Sequence, residues 1–280
     1  MTPPETGRPA VPPEYATAFD RVQEHLHAGD SYEVNLTHRR RVTSPADPVA
    51  TYLRLRALNP APYAGFLQHR SSWLLSASPE RYATIDADGL LETRPIKGTT
   101  PRNATPELDE ESRRHLASDP KFRAENLMIV DLLRNDLSIV CEVGSVEVPQ
   151  LMAVESYTSV HQLVSTVRGR LSDGINTVDA IRSLFPAGSM TGAPKLRTMH
   201  IIDAVELTPR GVYSGVFGWI APDGRADLAV IIRSLTTTGD GTWTLGTGGG
   251  ITVNSDMTEE YAEATWKAER LLHALTPFWD

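Results

Sequence analysis

Cysteine is nearly absent from this 280-residue chain: Cys141 stands alone, so no internal disulfide can form and a reducing cytoplasm is the expected setting. No apolar run approaches the roughly 18 residues a membrane helix needs, so no membrane association is expected. Basic charge is also short, with 27 Lys and Arg against 35 Asp and Glu and a net charge of −8. That balance argues against a nucleic-acid partner, since nothing supplies a surface to neutralise phosphates. A local basic pocket for a small anion is still compatible with it. None of the eight histidines has a zinc-ligand spacing such as HExxH. No G-x-S-x-G elbow is present. Gly188-Ser-Met-Thr-Gly-Ala-Pro-Lys195 fails as a phosphate loop because its lysine follows proline, and Gly246–Ile251 lacks the third glycine of a dinucleotide fingerprint.

What the chain does have is a hydrophobic fraction of 40%, enough for a large core. Its start, MTPPETGRPAVPPEY, is polar and proline-rich with no apolar h-region, and is expected to be a disordered tail over 1–13 and not a signal peptide. One folded domain is expected over 14–280. Apolar spacing predicts helices over Tyr15–Ala28, Ala50–Asn59, Glu125–Asp136, Val178–Leu184, Pro194–Glu206 and Thr258–Ala274. Strand patterns fall at 31–42, 63–69, 72–76, 82–86, 90–95, 143–149, 159–170, 211–220, 228–237 and 242–248, with Asp88-Gly89 as a hairpin turn. Residues 99–120, polar and carrying several prolines, are expected to form a surface loop with one helical turn. Strands in hairpin-like succession with helices between them predict an α+β fold, largely antiparallel.

Several positions carry chemistry. Glu260, Glu263 and Lys267 share one helix face, where two carboxylates could hold a hard cation and the lysine an anion. Taken alone, that helix reads better as an ordinary Glu263–Lys267 surface pair. Glu125 is placed at a helix start, where a negative charge is favourable. Gly248, Gly249 and Gly250 could let backbone amides approach a carboxylate, or could simply mark a bulge or tight turn. Gly192-Ala193-Pro194 has the form of a helix start able to receive an anion. Lys97, between Ile96 and Gly98, is poorly explained as a solvated charge. Partly desolvated it would be a nucleophile; otherwise it is a cation that binds substrate.

Five motifs then occur in order: Ser78-Pro-Glu-Arg81, Pro95-Ile-Lys-Gly-Thr99, Ala124-Glu-Asn-Leu-Met-Ile-Val-Asp-Leu-Leu-Arg-Asn-Asp136, Phe185-Pro-Ala-Gly-Ser-Met-Thr-Gly-Ala-Pro-Lys195 and Gly248-Gly-Gly-Ile251. Together they resemble the chorismate-utilising family of anthranilate, aminodeoxychorismate, isochorismate and salicylate synthases, over about residues 15–275. The resemblance implies that family's fold, with antiparallel sheets packed face to face and helices outside, here without the N-terminal region of full-length relatives. It implies a Mg²⁺ site with Glu125 and Glu263 as ligands and Glu260 in support, holding the ring carboxylate of chorismate. Lys267 and the amides of Gly248–Gly250 match positions that help bind the same carboxylate. Tyr213 and Arg233 match the pair that binds the pyruvyl carboxylate, and Thr99, Thr191 and Glu33 match further substrate positions. Glu80 matches the general acid.

Two positions separate the branches. Lysine at 97 is typical of aminodeoxychorismate synthases, where anthranilate synthases usually have alanine. Glu33 stands where isochorismate and salicylate synthases carry a lysine base. The resemblance therefore implies amination of chorismate at C4 through a Lys97 adduct at C2. The ammonia would come from a glutamine amidotransferase partner, and the product would feed 4-aminobenzoate synthesis, for folate or for a secondary metabolite. Gln162 departs from the histidine common in anthranilate and salicylate synthases. An anthranilate-type activity and a non-catalytic chorismate-binding subunit are the alternatives.

Overall fold

The computed structural model describes residues 9–157 and 160–276. In chain order the elements are α1 (Pro13–His27), β1 (Glu33–Thr43), α2 (Pro48–Leu58), β2 (Tyr63–His69), β3 (Ser72–Ser78), β4 (Arg81–Ile85), β5 (Leu90–Thr93), β6 (Ile96–Pro101), α3 (Pro106–Ser118), α4 (Pro120–Val140), β7 (Glu147–Ser156), β8 (Val160–Arg170), α5 (Thr177–Leu184), β9 (Gly192–Ala193), α6 (Lys195–Val205), β10 (Val216–Ile220), β11 (Ala226–Val230), β12 (Ser234–Thr237), β13 (Thr242–Ile251) and α7 (Met257–Leu272). They divide into two compact units, one of 81–189 with 217–229, the other of the residues up to 80 with 190–216 and those from 230 on.

The second of these is built on a six-stranded sheet ordered β2-β3-β12-β13-β1-β9. β1 alternates apolar and polar residues, so a period of two divides it between two faces. Val34 and Leu36 enter a core with Tyr15, Phe19 and Val22 of α1 and Ile201 and Val205 of α6. Glu33, Asn35 and Thr37 take the other face and are buried as well. Farther along the sheet, Leu75, Leu235, Trp243 and Leu245 pack with Leu55 of α2 and Ala268 and Leu271 of α7. Each fully buried leucine contributes on the order of 2 kcal/mol through removal from water. Of the segment expected to be a tail, residues 1–8 lie outside the described residues; Val11 packs against the α1 core and the helix begins at Pro13.

His38, on the apolar face of β1, lies edge-on to Tyr15 at 5.8 Å and stacked on Tyr261 at 5.7 Å. Burial, with Arg39 and Arg40 nearby, lowers its pKa from 6.5 to about 4. The folded state thus resists protonation while the unfolded chain does not. Stability is fully present above the unfolded pKa of 6.5 and is lost as pH falls towards 4, by up to about 3 kcal/mol. Denaturant midpoints at pH 7.5, 5.5 and 4.5 should therefore fall more steeply in wild type than in His38→Phe. Parallel slopes would remove His38 as the cause.

In the other unit β10-β11-β4-β5-β8 pair in that order, and β7 pairs with β8 as well. β5 and β6 follow one another along one edge of β8, since Leu90–Thr93 pair with Val167–Arg170 and Ile96–Pro101 with Val160–Val164. All the registered strand pairs in both sheets are antiparallel, so the fold is α+β as expected.

The segment expected to be a polar loop at 99–120 is the main correction: it completes β6 and then forms α3. Pro106 and Pro120 occupy the first helical position of α3 and α4, where proline costs nothing because its missing N–H would be unpaired anyway. Surface pairs such as Arg113–Glu110 support α3. The strand expected at 143–149 forms later, at Glu147–Ser156, and the expected strand 228–237 is two strands of different sheets. No helix among the described residues is long and apolar enough to cross a membrane.

Candidate active site

The glycines of β13 form neither a bulge nor a turn. Gly248, Gly249 and Gly250 pair in register with Thr37, Leu36 and Asn35 of β1. They are glycines because of crowding: a Cβ at 248 would lie 2.2 Å from the Leu36 carbonyl oxygen, and one at 250 would lie 2.1 Å from Glu33 Oε1. Two residues earlier on the same face, a Cβ at Gly246 would enter the Tyr213 ring at 2.2 Å. Gly249 points to the opposite face, where its Cβ would meet Glu260 Oε2 at 3.2 Å and Lys267 Nζ at 3.9 Å. The strand is thus stripped of side chains where Tyr213, Glu33, Glu260 and Lys267 come closest to its backbone.

α7 carries three of the expected residues on the face towards β13. Asp256 caps the helix by accepting from the Thr258 and Glu259 amides. One turn on, Glu260 accepts from Ser255 Oγ at 2.8 Å. Glu263 pairs with Lys267 at 2.6 Å, so the ordinary i,i+4 pair that the spacing suggested does form. Lys267 Nζ also donates to the Gly248 carbonyl at 3.2 Å, which brings its charge to the glycine strand.

Tyr213 follows Arg210-Gly-Val in the turn before β10. Desolvation raises its pKa to about 12, so the phenol stays protonated. Arg233 sits between β11 and β12 with φ +49°, a conformation that costs a non-glycine residue about 1–3 kcal/mol. Burial lowers its pKa, opposed by Tyr213 and Glu263. Among the described residues no hydrogen bond or ion pair engages its guanidinium. A strained, desolvated arginine lacking a fixed carboxylate is suited to take one from a ligand. Glu80 lies in the link after β3, where Val230 N donates to its carbonyl at 3.1 Å and Ser78 Oγ donates to the Val230 carbonyl at 2.7 Å.

The other unit holds Lys97, Thr99 and Glu125. Between Ile96 and Thr99 the β6–β8 register slips by one residue, so Lys97 and Gly98 occupy a β-bulge. Gly98 has φ +90°, and a Cβ there would lie 2.9 Å from both Leu116 of α3 and Phe122 of α4. Such bulges commonly redirect a side chain beside a functional site. Thr99 pairs with Gln162 of β8. Glu125 is not at a helix start, because α4 opens five residues earlier at Pro120 under the Asp119 cap. The favourable end charge expected for it is therefore absent. Its neighbour Asn126, fully buried, accepts from Ser165 Oγ and anchors this turn of α4 to β8.

Glu33 and Thr191 lie at the β1–β9 edge: both are buried, Glu33 pairs with Ala193, and Asn35 N donates to the Thr191 carbonyl at 2.8 Å. Unanticipated are Arg39, Glu206 and Arg210, which join buried around Tyr213. The alternation of β1 carried a signal for Arg39, which continues the polar face begun by Glu33. Nothing local pointed to Glu206.

The donor set suits Mg²⁺. Among the described residues no group of three or more His, Cys, Asp or Glu side chains is gathered for a metal. Mg²⁺ needs no such cage, taking one or two carboxylates and completing its shell with water and substrate oxygens. The hard oxygens of Glu260 and Glu263 on one helix face are donors of that kind.

The unit built on the six-stranded sheet thus carries a glycine strand, an acidic helix face and a desolvated arginine and tyrosine. A family model described as chorismate binding enzyme matches residues 4–273, and the chain belongs to that family. It is 49% identical over 263 residues to the aminodeoxychorismate synthase of Streptomyces pristinaespiralis, covering 94% of this chain and 36% of that protein. It is 44% identical over 262 residues to aminodeoxychorismate synthase component 1 of Salmonella typhimurium, covering 94% and 57%. The crystal structure of anthranilate synthase component I from Streptococcus pneumoniae matches with a TM-score of 0.85 at 31% identity, over 97% of this chain and 60% of that one. The chain spans about a third to somewhat over half the length of these curated relatives.

Proposed function

We propose that the chain is the chorismate-binding, catalytic part of an aminodeoxychorismate synthase, aminating chorismate at C4. The observation that carries the reading is the lysine at 97, seated with Gly98 in the β6 bulge, in a chain most of whose length aligns with aminodeoxychorismate synthases. The Lys97 amine adds to C2 while the ring double bonds shift and the C4 hydroxyl departs, with Glu80 donating the proton that makes it water. Ammonia then attacks C4, the double bonds shift back, and the lysine amine leaves C2. Tyr213 and Arg233 bind the pyruvyl carboxylate. Lys267 and the Gly248–Gly250 backbone serve the ring carboxylate, and Glu33, Thr99 and Thr191 complete the substrate contacts. Mg²⁺, held by Glu125 and Glu263 with Glu260 supporting, would supply positive charge to the ring carboxylate. A glutamine amidotransferase would deliver the ammonia, in the cytoplasm.

Mass spectrometry of products from the purified chain with chorismate, Mg²⁺ and an ammonium salt tests this. Aminodeoxychorismate is expected, and it should disappear on chelation. Anthranilate instead would move the amination to C2 and remove the role given to Lys97. Chorismate binding without any product would make the chain a binding subunit.

A further inference from the structure

We propose that Arg39, held by Glu206 and Arg210, is a positioning residue that presents Tyr213 to the substrate. The inference rests on the reading that Tyr213 binds a substrate carboxylate. Glu206 stands just past the C-terminus of α6 with its side chain 4% exposed. Its Oε1 accepts from Thr37 N at 2.9 Å, Thr37 Oγ1 at 2.7 Å and Arg210 Nη2 at 2.7 Å. Its Oε2 accepts from Arg39 Nη2 at 2.7 Å and Arg210 Nε at 3.1 Å. Arg210 goes on to donate to the Asn35 carbonyl at 2.8 Å, to Ser214 Oγ at 3.1 Å and to the Met190 carbonyl. One carboxylate thus ties together β1 beside Glu33, the segment beside Thr191 and the turn that carries Tyr213.

Arg39 is the member that reaches Tyr213. Its guanidinium carbon lies 5.2 Å from the ring centroid, within the range of a cation–π contact. The ring's surroundings also include Gly246, where a Cβ could not fit. Arg39 leaves Nε and Nη1 buried without an acceptor, which is costly in a purely structural ion pair. Packing against an aromatic face offsets part of that cost. Two guanidiniums on one carboxylate also leave a net positive charge beside Tyr213, of the sign that a carboxylate-bearing ligand requires.

The test is a double-mutant cycle of Arg39→Met and Tyr213→Phe, reading chorismate Kd, KM and kcat. Methionine keeps an unbranched stem beside the ring and leaves Glu206 with Arg210 and Thr37. R39M should raise Kd and KM roughly 10-fold with kcat within about twofold, and should add less than about twofold in the Y213F background. Full, independent effects in both backgrounds would overturn the proposal. So would a fall in kcat at unchanged KM, the mark of a reduced folded fraction. If Y213F alone leaves chorismate binding unchanged, the substrate role of Tyr213 fails, and the positioning role fails with it. Arg39→Lys keeps a cation for Glu206 without the flat guanidinium. It should melt at the wild-type temperature yet bind chorismate severalfold more weakly, and wild-type affinity in R39K would overturn the proposal even if R39M does not fold.

Discussion

Replacing Lys97 with alanine is expected to lower aminodeoxychorismate formation from chorismate and ammonia by roughly 10³-fold or more, while chorismate binding changes no more than severalfold. The size follows from the proposed role: without the amine no covalent adduct would form at C2, and ammonia would have to displace the C4 hydroxyl unaided. Folding should be little affected, because the bulge is shaped by Gly98 and its contacts with Leu116 and Phe122, which alanine at 97 leaves in place. Melting temperature, chorismate affinity and product yield should be measured on the same preparation. Wild-type turnover in K97A would end the nucleophile assignment. A rise in KM at unchanged kcat would reduce Lys97 to a cation that binds substrate.

Gly192→Ala is expected to have the largest effect on stability. Gly192 has φ +137°, and a Cβ would lie 1.9 Å from the Glu33 carbonyl oxygen and 2.8 Å from its carbon. That carbonyl belongs to the β1–β9 pairing of Glu33 with Ala193 and Val34 with Gly192, so relief requires the strands to part. Backbone strain and lost pairing together should cost about 3 kcal/mol or more, seen as a melting temperature lower by roughly 5–10 °C. Gly29→Ala is the control. It too has positive φ, at +76°, but nothing lies within 4 Å of a Cβ there, and about 1 kcal/mol is expected. Equal losses in the two variants would show that conformation, and not contact with Glu33, makes Gly192 necessary.

Much of the molecule was legible in its order of residues. Alternation gave the paired strands, apolar spacing gave α1 and α7, and the i, i+3, i+7 spacing put Glu260, Glu263 and Lys267 on one face of α7. The ordered motifs identified the family that the comparisons support. These are local properties or sums of local properties, so a linear reading recovers them.

Where the reading failed, the deciding partner was distant. Pro106 and Pro120 looked like loop residues, because proline breaks a helix interior and opens a helix equally well. Which of the two applies depends on the residues C-terminal to it and on where the helix can pack. A single strand at 228–237 was a fair reading of its apolar residues. The left-handed turn at Arg233 divides it, sending one half to each sheet. The glycines of β13 gave no hint that a tyrosine ring and a glutamate would occupy their missing side chains. Glu206 looked like any acidic residue at a helix end, but its partners Thr37 and Arg39 lie 169 and 167 residues away. Residue types and local periods are written along the chain. Which polar groups are buried together, and which glycines leave room for them, depends on pairings that exist only once β1, β13 and α6 have come together.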